Sequence, residues 1–207
     1  STAQEQKPKD ENGPSGIRLL MSRRMILFFL FFMSTSAAGA GINSFAVVAL
    51  VELYEVDLVA AGQALTLFLI MAASGVLTGG ILADKGKAHD RIVLGGFGLA
   101  ALGFWLVGVD GLPFWLGVAA FAFAGFMKGV INPSRDVMVR NSSPPGEVGK
   151  VFAFVTTGFT ISGGLIPPLF GWLMDVGAAG WIFWTSAIFS AFGIFVMFLA
   201  SRPERRT

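Results

Sequence analysis

Long apolar runs, each of about twenty residues, recur along this chain and are separated by short polar connections. A run of that length crosses the hydrocarbon core of a bilayer as a helix. Six such runs are predicted, at residues 25–50, 59–83, 92–109, 112–139, 148–174 and 181–200. They lack the polar–apolar alternation of lipid-facing strands, so the pattern predicts an all-α membrane protein with six transmembrane helices.

The composition agrees with a bilayer environment. Hydrophobic residues make up 54% of the chain and charged residues 14%, whereas soluble domains have about 25% charged residues. There is no cysteine, which excludes a disulfide framework and a cysteine-based metal site. The pI of about 9.2 would suit a nucleic-acid partner, but the basic residues flank the spans, as membrane topology requires, so none is predicted.

The positions of the basic residues predict an orientation. Lys and Arg precede the first span, separate the second from the third and the fourth from the fifth, and follow the sixth. The other connections, around residues 52–57, 110–111 and 175–180, contain neither Lys nor Arg. The positive-inside rule therefore predicts that both termini are cytoplasmic, in the plasma membrane or the bacterial inner membrane.

Two segments are predicted along the chain. Residues 1–16 are polar and rich in Lys, Glu, Gln and Pro, and we expect a disordered cytoplasmic leader or linker. Residues 23–40 mimic a signal peptide, but a polar arm precedes them and an apolar run follows, which favours a retained span. Residues 17–207 are predicted to form the bundle.

A short motif occurs twice. The pattern G-x-L-x-D-x-G closes the second span at residues 80–86 and the fifth at residues 171–177. Each copy ends the second helix of a three-helix unit, and because three is odd, the two units have opposite topology. The pattern predicts an inverted three-plus-three repeat, with triplets at about 17–110 and 111–201. The alternative is a coincidental glycine-rich turn.

The first copy carries a family resemblance. Residues 80–87, G-I-L-A-D-K-G-K, with Arg91 after them, resemble the cytoplasmic signature loop of the major facilitator superfamily, G-x-L-A-D-R/K-x-G-R-R. Residues 132–136, with Arg140, resemble the charged segment after the tenth helix of that family, and residues 158–171 resemble its eleventh helix. The chain departs from the signature where Ala88 and His89 replace basic residues. The resemblance implies helices seven to twelve, the C-terminal half of such a transporter, with residues 1–16 as the end of the inter-half linker.

The resemblance also implies a cytoplasmic gate centred on Asp84. In the family, the corresponding Asp helps to enclose the end of a helix in the other half of the transporter. Within this chain the candidate partners are Arg135, Asp136 and Arg140. The full gate motif is Gly80, Leu82, Asp84, Lys85, Gly86, Lys87, Arg91, Arg135, Asp136 and Arg140. The alternative is a solvated loop that only obeys the charge rule.

Lys128 lies within the fourth predicted span. An intramembrane cation suggests a function, here the attraction of an anionic substrate. The alternative is snorkelling to the cytoplasmic interface, if the span ends near Ile131.

The resemblance implies that spans one, two, four and five face a cavity and that three and six face lipid. The cavity candidates agree with this: Asn43, Gln63, Lys128, Thr156 and Thr157. Thr185, Ser186 and Ser190 in the sixth span are the exception, and hydroxyls often bond only to the preceding turn. Gly163, Gly164, Pro167 and Pro168 are predicted to bend the fifth span, because the two prolines remove two backbone donors.

Taken together, the residues predict half of a secondary active transporter that moves a small organic solute, such as a drug or an organic anion, by alternating access. We expect an ion gradient to drive it, and the predicted partners are the lipid bilayer, the solute and a second six-helix half, either the N-terminal half of the same protein or a homodimer partner. No cofactor and no enzymatic activity are predicted, since there is no GxxxxGK[ST] phosphate loop, no cysteine and one histidine. The alternative is a non-transporting scaffold or sensor, and the lack of a charged ring disfavours a channel.

Overall fold

A computed structural model describes residues 17–85 and 89–201 of the 207-residue chain. Its helices are α1 Ile17–Leu20, α2 Arg23–Tyr54, α3 Leu58–Lys85, α4 His89–Val107, α5 Phe114–Ser142, α6 Val148–Leu165, α7 Pro167–Asp175 and α8 Gly180–Ser201. Within these two ranges, six spans are long and apolar enough to cross a membrane: α2, α3, α4, α5, α6 together with α7, and α8. The predicted all-α fold with six spans is confirmed, while the predicted leader at 1–16 lies outside the described residues.

The helix ends follow from local chemistry. Glu55, with a φ of 51°, ends α2 in the left-handed region. Asp57 then caps α3 by accepting a 2.7 Å hydrogen bond from the amide of Ala60. Gly177, with a φ of 70°, ends α7, where the amide of Ala178 bonds to the carbonyl of Leu173 at 2.9 Å. This is the glycine-terminated helix end known as the Schellman motif, and it explains the final glycine of the second motif copy.

The two triplets are related as an inverted repeat. The matched helices start at Arg23 and Phe114, Leu58 and Val148, and His89 and Gly180, each pair about 90 residues apart. The packing follows the same symmetry. The contact of α3 with α5 corresponds to the contact of α6 with α2. Likewise, the contact of α4 with α5 corresponds to the contact of α8 with α2, and α4 and α8 pack on each other. The predicted three-plus-three repeat is therefore confirmed.

Glycines bring α3 and α5 together. A Cβ on Gly75 of α3 would meet the carbonyl oxygen of Phe126, and a Cβ on Gly129 of α5 would meet that of Ala72. Gly79 and Gly125 are equally close to the facing backbone. Each helix thus presents two glycines four residues apart, the small-residue spacing that lets transmembrane helices approach closely.

Two apolar clusters fill the bundle at different depths. One includes Phe68 and Phe121, whose rings stack at 4.5 Å between centroids. The other includes Phe31 and Phe97, whose rings meet edge to face at 5.2 Å. The α2 residues between the clusters include Ser34, Thr35 and Ser36. The small and polar side chains of α2 are therefore concentrated near mid-membrane depth.

Candidate functional site

Lys128 is positioned at the centre of the bundle by two long helices. It lies near the middle of α5, and its ammonium nitrogen Nζ contacts Gly39, near the middle of α2. A side chain at position 39 would collide with Nζ, and the amide nitrogen Nδ2 of Asn43 lies 3.9 Å from where that Cβ would stand. Gly39 therefore leaves room for the ammonium group, and the structure brings Lys128 and Asn43 to the same place.

The ammonium group of Lys128 makes no hydrogen bond and no ion pair with the side chains that the structure describes. The snorkelling alternative placed the end of the membrane span near Ile131, whereas the helix α5 itself continues to Ser142. Because Nζ lies at the level of Gly39, the charge stays at mid-span and does not reach the helix end. A cation at this depth is costly unless it meets water, an anion or another polar group.

The other cavity candidates, Gln63, Thr156 and Thr157, are exposed on the surface of this bundle. The hydroxyl of Thr156 donates to the carbonyl of Phe152 at 2.7 Å, and that of Thr157 to Ala153 at 2.9 Å. Their protons are thus used within α6, and only the oxygen lone pairs remain for a ligand. The structure records no contact between these three side chains and Lys128.

Of the three hydroxyl residues noted in the sixth span, Thr185 is half-buried and the two serines are fully buried. Ser186 and Ser190 are 0% and 1% exposed. They donate to the carbonyls of Ile182 and Ser186 at 2.9 and 2.8 Å. Their presence in α8 therefore does not conflict with a lipid-facing outer surface, because they lie on its inner side.

Arg135 of α5 is held by two contacts within the chain. Its guanidinium carbon lies 4.4 Å from the ring centroid of Phe32 on α2, a cation–π geometry. Its Nε and Nη2 atoms each lie 2.9 Å from Oδ1 of Asp136. The side chain of Arg135 is 12% exposed and that of Asp136 is 48% exposed. This neighbouring pair is therefore partly removed from water.

Asp84 is separate from that pair. It is exposed at the end of α3, and it makes no ion pair with Arg135 or Arg140 among the described residues. Arg135 instead uses its guanidinium on Phe32 and Asp136. The pairing expected for Asp84 within this half is thus absent from this conformation. Of the remaining motif residues, Leu82, Arg91 and Arg140 are exposed and Gly80 is half-buried, while Gly86, Lys87 and the side chain of Lys85 lie outside the described part.

The fifth span is divided into two helices. α6 ends at Leu165 and α7 begins at Pro167, with Ile166 between them. Pro167 and Pro168 have no amide hydrogen to donate to the carbonyls of Gly163 and Gly164, so two backbone hydrogen bonds of a continuous helix are missing. A Cβ on either of those glycines would meet nothing within 4 Å. This stretch therefore combines missing backbone bonds with open space.

Sequence reasoning missed two features. Gly39 was not distinguished from the other small residues of α2, since only the fold shows that Lys128 lies over it. The connections without Lys or Arg were used only to assign orientation. In the structure, Glu52, Asp110, Trp181 and Trp184 from those connections and their flanking helices line one cavity of about 420 Å³. Among the described residues, no group of His, Asp and Glu side chains has an arrangement that could hold a metal ion.

Comparisons with known proteins bear on the fold and the family of this chain. The model of the Major Facilitator Superfamily matches residues 23–207. None of the curated proteins matches the sequence significantly. Among solved structures, a mutant peptide transporter, POT, in complex with sulfate matches with a TM-score of 0.76 and 17% sequence identity. The match covers 84% of this chain and 37% of that transporter, so the chain spans well under half of the transporter's length.

Proposed function

The chain belongs to the Major Facilitator Superfamily, and from that premise we propose that it forms one half of a secondary active transporter for a small organic solute. Transport proceeds by alternating access, in which two six-helix halves expose a central site to one side of the membrane and then to the other. Lys128 carries the proposal, because its ammonium group lies at mid-span, where such a site belongs, and has no partner among the described side chains.

The charge of that site favours an anionic solute. An ammonium group in a low-dielectric setting attracts a carboxylate, phosphate or sulfonate strongly. Asn43, beside Lys128, offers both an amide donor and an acceptor for the polar part of a solute. An organic anion, or a drug with an acidic group, is therefore the proposed substrate class, and an ion gradient, of protons in the first instance, is the proposed energy source.

A second six-helix half is proposed to cover the open sides of α3 and α6. Gly80 of α3 and Gly163 and Gly164 of α6 face open space within this bundle. The glycines between α3 and α5 already allow those two helices to pack closely. Gly80, Gly163 and Gly164 have no such neighbour, so they are suited to the close approach of a helix from the second half. The second half is either the N-terminal half of the same protein or a second copy of this chain.

The proposed orientation has both termini in the cytoplasm. Asp84 and the Arg135–Asp136 pair then lie at the cytoplasmic end, where Asp84 meets the second half when the transporter opens outward. A gate contact must break in each cycle, so an exposed Asp84 that is unpaired with the arginines of its own half suits the inward-open state. A transporter with Asp84→Asn is expected to close more slowly, and a normal transport rate would refute the gate.

The test of the proposal is uptake by the full-length protein in proteoliposomes, using a panel of radiolabelled organic anions and cations with and without a pH gradient. We expect gradient-dependent uptake of an anion. Lys128→Ala should reduce it about 100-fold, the loss expected from an unscreened charge contact of about 3 kcal/mol. Lys150→Gln removes a charge from an exposed lysine at the start of α6 and should leave uptake unchanged.

The alternative is a membrane scaffold or sensor built on a transporter half. A scaffold would bind partners without moving solute, so uptake would stay at the level of empty liposomes for every compound and gradient. If anion uptake occurs but Lys128→Ala does not change it, the protein is a transporter and the proposed role of Lys128 in binding the anion is refuted.

A further inference from the structure

A second cavity lies far from Lys128, at the end of the bundle that carries the α2–α3, α4–α5 and α7–α8 connections. We call it the acidic-end pocket. It has a volume of about 420 Å³ and is lined by Glu52, Leu53, Asp110, Trp181, Trp184 and residues 177–180. A Cβ on Gly177 would stand 3.8 Å from Oε1 of Glu52, so the end of α7 lies beside that carboxylate.

The charge of this pocket is uncompensated. The connections at this end contain Glu52, Glu55, Asp57, Asp110 and Asp175 and no basic residue. The two ion pairs among the described residues, Arg135–Asp136 and Lys150–Glu147, both lie toward the opposite end of the bundle. Glu52 and Asp110 therefore face the pocket without a counter-cation from the described residues, and a cationic ligand is the complement that the site lacks.

The two tryptophans add a second feature that favours a cation. Trp181 and Trp184 stand edge to face, with 5.2 Å between their ring centroids and an interplanar angle of 76°. An indole face attracts an ammonium group, most strongly where water is scarce. Gly108 leaves room for the indole of Trp184, because a Cβ there would stand 2.5 Å from its Nε1. Interfacial tryptophans are common in membrane proteins, but that tendency does not account for two of them sharing a cavity with two carboxylates.

An apolar groove continues from the pocket along the outer surface between α4 and α8. It has a volume of about 570 Å³ and shares Trp181 and Trp184 with the acidic-end pocket. Below them its walls are apolar: Ala101, Leu102, Trp105, Ala187, Ile188 and Ala191. Leu102 is 50% exposed and Ile188 is 58% exposed, so the groove opens on the surface that we assign to lipid. The acidic, tryptophan-lined pocket and the apolar groove thus adjoin each other at Trp181 and Trp184.

We propose that this site binds one membrane lipid with a protonated amine head group. The ammonium group lies between Glu52 and Asp110 against the tryptophans, and one acyl chain lies along the α4–α8 groove. Phosphatidylglycerol has the same phosphate but no ammonium group to offset its charge, so its net negative head group is disfavoured beside two carboxylates. The site is independent of Lys128 and of transport, so the proposal stands apart from the proposed function.

The test is native mass spectrometry of the full-length protein in detergent, with equal amounts of phosphatidylethanolamine and phosphatidylglycerol of identical acyl chains. We expect about fivefold more bound phosphatidylethanolamine, a preference in the range of partly exposed charge contacts. Equal binding of the two lipids by the unmodified protein would overturn the proposal and leave an ordinary lipid-facing surface.

Matched variants locate the site. Glu52→Gln combined with Asp110→Asn should abolish the preference. Glu55→Gln combined with Asp57→Asn removes the same charge at the same end, outside the pocket, and should keep it. Asn caps a helix as well as Asp does, so α3 retains its start. Loss of the preference in both pairs, or in neither, would refute the pocket as its source.

A soluble analogue separates the head group from the chain. Glycerophosphoethanolamine has the same head group without acyl chains, and it should compete at least about tenfold more weakly than the intact lipid. Ala191→Trp, which fills the groove, should reduce lipid binding to about the level of the analogue. If the analogue competes as well as the lipid, the groove has no role and the site is one for soluble cations, which would overturn the proposal.

Discussion

Two faces of the bundle expose different kinds of side chains. On α4 and α8 the exposed positions beyond the first turn are apolar or glycine: Gly95, Leu99, Leu102, Trp105, Ile188, Ala191, Phe192, Phe195 and Phe198. We call this the apolar face. On α2, α3 and α6 exposed apolar residues alternate with exposed polar ones: Asn43, Ser44, Gln63, Thr66, Thr78, Thr156, Thr157 and Thr160. We call this the mixed face.

The difference indicates which solvent each face meets. Lipid excludes unpaired polar groups, so a face that carries an amide such as Asn43 or Gln63 at the surface is suited to water or to another protein surface. The serines of α8 strengthen the comparison, because Ser186 and Ser190 are turned inward and bonded to their own helix. The apolar face thus fits lipid, and the mixed face fits the proposed cavity and the proposed second half.

The largest expected effect comes from placing a carboxylate at mid-depth on each face. Leu99→Asp on the apolar face should destabilise the inserted protein by about 3 kcal/mol, the cost of Asp at a helix centre in lipid. Thr160→Asp, at a similar depth on the mixed face, should cost less than about 1 kcal/mol, because water reaches it. The membrane-inserted fraction and the melting temperature in nanodiscs measure both variants. Equal losses would mean that both faces meet lipid.

A smaller effect separates the packed side of α3 from its open side. Gly75→Ala forces a Cβ against the carbonyl of Phe126 and should cost about 2 kcal/mol. Gly62→Ala, on the same helix, meets nothing within 4 Å and should stabilise the protein by about 0.5 kcal/mol, since alanine loses less backbone entropy. Thermal unfolding in detergent checks the pair, and the same melting temperature for both would contradict the packing of α3 on α5.

The smallest effect concerns the contact between α2 and α6. The hydroxyl of Ser36 donates to the carbonyl of Phe159 at 2.9 Å, across the two helices. Ser36→Ala should therefore cost about 0.6 kcal/mol, the average for such bonds in membrane proteins. Ser34 bonds to Leu30 within its own helix, so Ser34→Ala should change the melting temperature less. The opposite order would show that the α2–α6 contact does not depend on this bond.

Much of the fold could be predicted from the sequence, because the bilayer imposes strict rules on chain length and polarity. The six apolar runs predicted the six spans. The repeated G-x-L-x-D-x-G pattern predicted the inverted triplets, because the two motif copies and the matched helix starts are both separated by about 90 residues. The packing partners of the individual helices were harder to predict from the sequence. That Gly75, Gly79, Gly125 and Gly129 face each other depends on helix rotation, which a run of apolar residues on all sides does not specify.

The candidate site could be predicted only in part for the same reason. Lys128 and Asn43 were identified as polar residues in apolar runs, but their meeting at Gly39 joins positions on different helices. Arg135 was assigned to Asp84 by resemblance, whereas the structure pairs it with Asp136 and Phe32. The pocket between Glu52, Asp110 and the tryptophans combines residues from three connections, and the one motif among them, which ends at Gly177, did not indicate that they meet.

Labelling of single cysteines tests the central claim, that the mixed face borders a water-filled path beside Lys128. This chain contains no cysteine, so Asn43→Cys and Leu99→Cys each introduce one thiol into this half at similar depth, and the protein without either substitution gives the background labelling. Both variants are reconstituted in liposomes at full length and treated with a membrane-impermeant maleimide from each side. We predict labelling at position 43 and none at position 99. Labelling of neither thiol, or of both equally, would contradict the account.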